Sequence, residues 1–114
     1  MARFYRYETV DIPLKLTPTG VLENYSKIVV SIAQDGMVQI NKTNNELGID
    51  IETDTITLSL SQEETSKFAG GKEGNPRIAE IQVNIYYAST ERDVSTTGTI
   101  EVYENLYKEV IGNE

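Results

Sequence analysis

Cysteine, histidine and tryptophan are absent from this chain of 114 residues. Without cysteine there is no disulfide, no zinc–thiolate centre and no thiol nucleophile. Without histidine the commonest general base and metal ligand is missing. No apolar run approaches the roughly 18 residues of a membrane-spanning helix. The start, MARFYRYETV, lacks the apolar core of a secretory signal. Basic charge is short as well: 10 Lys and Arg against 18 Asp and Glu leave a net charge of −8. That balance argues against nucleic acid, which is held by phosphate neutralisation, and against anionic membrane surfaces. It suits a soluble protein.

What is present is a globular composition, 39% hydrophobic and 25% charged, in a length typical of one domain. The longest clean pattern is Arg77–Ala88. Ile81, Val83, Ile85 and Tyr87 alternate there with Glu80, Gln82, Asn84 and Tyr86. A period of two means one buried and one wet face, so this reads as the central strand. Thr9–Leu16 alternates in the same way, with Val10, Ile12, Leu14 and Leu16 on one face. Pro13 cannot donate to a ladder, which places this strand at an edge or a bulge.

Ile28, Val30 and Ile32 share a face, as do Val38 and Ile40, around Asp35-Gly36. A three-residue loop, Gln34–Gly36, would pair Ile32 with Val38 and Val30 with Ile40, keeping both apolar sets inward. Thr55–Leu60 is a further strand. Asp50, Glu52 and Asp54 precede it as an acidic row. A row on one strand face points in parallel rather than converging, so solvation is the expected role and calcium the sharper alternative. Ser61 followed by Glu64 is a capping box, and Gly70-Gly71 a stop, around a helix of about two turns anchored by Phe68.

Val94–Leu106 is expected to return along the central strand through a Thr90–Asp93 loop, pairing Val83 with Ile100 and Ile81 with Val102. Its outer face would then carry Gln82, Asn84, Tyr86, Thr97, Thr99, Glu101 and Tyr103. Asn105–Glu114 extends this strand or forms a tail. The architecture expected is all-β, an immunoglobulin-like antiparallel β-sandwich of about seven strands with one short helix, in a single domain spanning 1–114.

For chemistry, the serines have no histidine base, the carboxylates have no evident cleft, and Gly70-Gly71-Lys72 lacks phosphate-loop spacing. The expectation is no enzyme, no cofactor and no metal. Two features suit contact. Met1–Tyr7 sets Phe4, Tyr5 and Tyr7 among arginines, as a strand end packed on the domain or as a docking arm. The last hairpin offers Tyr86 and Tyr103, because tyrosine provides large contact area at low entropy cost.

TVDIPL, KIVVSIAQDGMVQINKT, DTITLSLSQEETSKF and IAEIQVNIYYASTERDVSTTGTIEVYENLYKEVI together resemble small structural proteins of phages and prophages of Gram-positive bacteria. The layout is similar to the N-terminal immunoglobulin-like domain of phage baseplate upper proteins. The resemblance implies a tail or baseplate role, virion location after assembly in the host cytoplasm, other virion proteins as partners, and no enzymatic activity. A homo-oligomer is left open. A carbohydrate- or ligand-binding sandwich is the alternative, motivated by the tyrosine-bearing hairpin face.

Overall fold

The computed structural model describes residues 2–88 and 93–106. Among the described residues eight strands form a sheet of five and a sheet of three. They are β1 (Ala2–Tyr5), β2 (Val10–Lys15), β3 (Lys27–Gln34), β4 (Met37–Thr43), β5 (Gly48–Asp50), β6 (Thr55–Leu60), β7 (Arg77–Tyr86) and β8 (Asp93–Tyr103). The larger sheet has the order β1-β8-β7-β3-β4 and the smaller β2-β6-β5. β3-β7-β8 and β2-β6-β5 stand as the C-F-G and B-E-D strands of the immunoglobulin arrangement. The purely antiparallel expectation is corrected at one place. β1 lies parallel to β8, with Ala2 opposite Ile100 and Phe4 opposite Val102. This makes the large sheet mixed and adds the eighth strand.

The core is the set of inward residues that the alternation picked out. Ile12, Val30, Ile32, Ile56, Leu58, Leu60, Ile85, Ile100 and Val102 are all buried in one cluster shared by both sheets. β7 is the middle strand of the larger sheet. Its pattern buries Ala79, Ile81, Val83 and Ile85 and exposes the polar residues between them, with Asn84 half-buried. β2 is an edge strand. The Leu16 N–H donates to Asp54 O at 2.8 Å, so on alternation the odd-numbered peptide groups of β2 face away from β6. Pro13 occupies one of these outward slots, where no donor is needed.

Two registers differ from the expected ones. In the first hairpin Gln34 pairs with Met37, Ala33 with Val38 and Ile32 with Ile40. The turn therefore has two residues, Asp35 (φ 54°) and Gly36 (φ 82°), both left-handed. This is the geometry that Asp-Gly favours in hairpins. A β-bulge between Ile32 and Ala33 absorbs the odd residue instead, returning Ile40 to the core and leaving Val38 exposed.

In the second hairpin Val83 pairs with Thr96, Ile81 with Gly98 and Ala79 with Ile100. The even-sized slip keeps every side chain on its expected face. β7 ends at Tyr86, and Tyr87 leaves the ladder to fill the end of the core, its hydroxyl donating to Val21 O. The proposed Thr90–Asp93 loop lies outside the described residues except for Asp93, which pairs with Tyr86. Tyr107, Val110 and Ile111 of the proposed tail also lie outside them.

The helix α1, Gln62–Thr65, is one turn rather than two. Its capping box is present: Glu64 N–H donates to Ser61 Oγ at 3.1 Å, and Ser61 N–H to Glu64 Oε1 at 2.9 Å. It stops early because the next residues are claimed by tertiary contacts. Phe68 is 1% exposed and packs edge-on against Phe4 with ring centroids 5.3 Å apart. The Gln34 amide donates to Ala69 O at 2.8 Å and accepts from Ala69 N–H at 2.6 Å.

Candidate interaction surface

β1 places Phe4 inward and Arg3 and Tyr5 on the outer face of the large sheet, by the alternation of a strand. Phe4 is core, 2% exposed, and offers no contact surface. Tyr5 stacks on Tyr103, its register partner, at 5.2 Å, and the Arg3 guanidinium lies 5.9 Å from the Tyr103 ring centre. Tyr7 takes a left-handed φ of 64° where the chain turns toward β2, and its ring lies under Arg6 at 5.1 Å. The start of the chain is thus a strand end packed on the domain, not a free arm. Tyr103 belongs with Tyr5 and not with Tyr86.

Tyr86 and Tyr103 do share the outer face, but at opposite ends. Tyr86 is level with Asp93, which at about 3.4 Å per residue puts it roughly 34 Å from Tyr103 along β8. They form no common platform for a sugar ring. The phenol of Tyr5 donates to Glu73 Oε2 at 3.2 Å and that of Tyr103 to Glu101 Oε1 at 3.0 Å. The bond to Glu73 raises the Tyr5 phenol above its ordinary value, with desolvation adding. For Tyr103 desolvation comes first and the Glu101 bond second. Each ring is held neutral with its hydroxyl committed, and the stack leaves Tyr103 buried at 6% exposure under a half-buried Tyr5.

Between these ends the outer face carries Ile78, 46% exposed, among Glu80, Gln82, Thr97 and Thr99. A shallow depression of about 220 Å³ lies beside it, lined by Ser31, Ala33, Val38, Gln82 and Thr97 among others. Val38 is 57% exposed and Met37 67%. The β4 bulge turned Val38 toward solvent, which the expected register had not allowed for, while Met37 is exposed at the mouth of the turn.

The end of the sandwich below Tyr103 is closed by Arg6. Its guanidinium donates to both oxygens of Glu104, at 2.7 and 3.0 Å, and to Ser66 O at 2.9 Å. Thr65 Oγ1 donates to Glu8 O at 2.9 Å. These are packing duties: in the sequence Arg6 reads only as part of the basic, aromatic start, and Thr65 does not stand out.

The acidic row is corrected. Residues 51–54 form a turn, not a strand face. Asp50 accepts from Glu52 N–H at 3.1 Å. Asp54 is buried at φ 54° and accepts from Gly20 N–H at 3.0 Å. Asp50, Glu52 and Asp54 therefore do not line up. Among the described residues no group of three or more acidic side chains is placed to hold a metal ion. Among the same residues no helix is long and apolar enough to cross a membrane.

Compared with family models, curated proteins and solved structures, the chain matches none of them.

Proposed function

We propose that this protein is a non-enzymatic structural or assembly component of a phage or prophage tail or baseplate, working through protein–protein contacts. The observation that carries the reading is the outer face of the five-stranded sheet. It sets exposed Ile78, Val38 and Tyr86 among polar side chains, with half-buried Tyr5 at the far end. Apolar and aromatic groups set in a polar rim are the anatomy of a protein contact surface. The resemblance of Leu60–Phe68 and the flanking strands to phage structural proteins supports the setting.

The test is immunodetection in density-banded particles, and in tail-assembly intermediates, from an induced lysogen carrying the gene. Presence in either supports the reading. Absence from both overturns it. Tyr5→Ser with Ile78→Ser should leave the circular dichroism spectrum intact and strip the protein from those fractions.

A further inference from the structure

The two sheets do not close on each other along the side where β2 and β8 run. β1 covers β8 only over Ile100–Tyr103. Beyond it, Ser95–Gly98 has β7 on one side and, among the described residues, no strand on the other. Tyr103 O accepts from Arg6 N–H on the β1 side, whereas Val102 O accepts from Gly71 N–H on the opposite side. Alternation therefore points the N–H and C=O of Ser95 and Thr97 away from β7, toward the open edge.

Between this edge and β2 runs a groove of about 230 Å³. Leu14, Leu16, Ile81 and Val83 line it together with Gly98, and Lys15 stands on its β2 wall with its ammonium donating to Thr53 O. A second hollow of about 70 Å³ continues it past Thr96 to Ile85 and Val21.

The edges at β4, β2 and β5 are guarded, and β1 is only four residues long. β4 carries a bulge, and its Lys42 is turned into an ion pair with Glu64 at 2.8 Å. β2 has Pro13 in an outward slot, and β5 is only three residues long. The Ser95-Thr96-Thr97-Gly98 run has no proline, no lysine and no bulge. Natural sheets protect edges with such devices, and a bare edge over an apolar floor is a template for an added strand.

We propose that this groove accepts an extended segment of a partner protein, which pairs with β8 along Ser95–Gly98 and seats an apolar side chain at every second position. β1 shows the chemistry on the same edge: it pairs with β8 and turns Ala2 and Phe4 inward. An incoming strand in line with β1 repeats this over Leu14, Leu16, Ile81 and Val83, with the space above Gly98 taking one side chain. A second copy of β8 is a poor occupant. It would present Thr96 and Gly98 to the floor, which are too small to fill it, and two chains of net charge −8 repel. The inference goes beyond a virion role and does not depend on it.

The test uses synthetic peptides of about seven residues in which valine alternates with threonine between terminal lysines, against a control with the valines in one block. Binding is read by fluorescence polarisation and by amide resonances of the protein. The alternating peptide should bind, shifting Ser95–Gly98, and the blocked one should not. Gly98→Val fills the groove. A Cβ at this position would meet Ile81 Cγ2 at 3.5 Å, an ordinary contact, and the circular dichroism spectrum of the variant checks that it folds. Thr97→Pro removes an outward donor and leaves the β7 ladder intact. Each should weaken binding at least about tenfold. Equal binding of both peptides, no binding, or indifference to both substitutions overturns the proposal. So does concentration-dependent dimerisation that Thr97→Pro abolishes, which makes a second copy the occupant. Peptide binding that appears only after removal of residues 107–114 overturns it too, since the chain's own end would then be the occupant.

Discussion

Ser61 and Phe68 flank the same short turn and stabilise it by different physics. Ser61 satisfies one N–H at an exposed helix start. Phe68 fills the core beside Phe4. Truncating a buried phenylalanine costs about 3–5 kcal/mol, and losing an N-cap about 1 kcal/mol. Phe68→Ala should therefore lower the urea midpoint several times more than Ser61→Ala. Equal midpoints would show that the turn is held by its cap and not by its anchor. Both residues were legible in the sequence, because a capping box and a lone large apolar residue are local signals. Gln34 was not. It sits next to a turn and is polar, yet it is buried and clamps Ala69, a long-range partnership that no spacing rule announces.

At the scale of elements, the β4 strand joins the α1 turn through Lys42 and Glu64, 2.8 Å apart. Burial raises the Glu64 carboxyl, but the Lys42 bond and the Ser61 N–H outweigh it and hold the group below its ordinary value. A lowered folded value means that the stabilisation is complete above the ordinary glutamate value of 4.5 and is lost as pH falls through the lower folded value. Glu64→Gln should cost on the order of 1 kcal/mol at neutral pH, discounted for partial exposure. The gap from the parent should close in acid. A gap independent of pH would remove the charge from the account. The bulge in β4 gives a second expectation. Deleting Gln39 leaves a regular hairpin with Ile40 still opposite Ile32, so the variant should fold. Its straightened edge should self-associate more, read by light scattering. An unfolded deletion variant would mean that the bulge is needed for packing.

For the whole molecule, β1 is structural. It brings Phe4 into the core, and Arg6, which follows it, closes one end through Glu104 and Ser66. Deleting Met1–Arg6 should cost more than the roughly 3–5 kcal/mol of a single buried phenylalanine, which leaves most molecules of a marginally stable domain unfolded. Tyr5→Ser, by contrast, removes a surface ring and should shift stability by less than about 1 kcal/mol. A folded, cooperative deletion variant in thermal denaturation would return the segment to the status of a free arm. Chain-end contacts of this kind are invisible to periodicity, since four residues are too few to define a face.

By itself the sequence determined the class of fold, the inward set of nearly every strand, the choice of an edge or a bulge for β2 and the capped turn. Each of these follows from period-two patterning or from chemistry between near neighbours. Pairing was decided by the tertiary structure. Asp35-Gly36 adopted the two-residue turn with the parity corrected by a bulge, and Tyr87 left its strand to fill the core. β1 ran parallel to β8 and brought Tyr5 onto Tyr103 instead of leaving an arm. The open side between β2 and β8 is likewise a tertiary result. It exists because β1 pairs over only part of β8, and register is set by what each strand must pack against across the sandwich, which no single strand records.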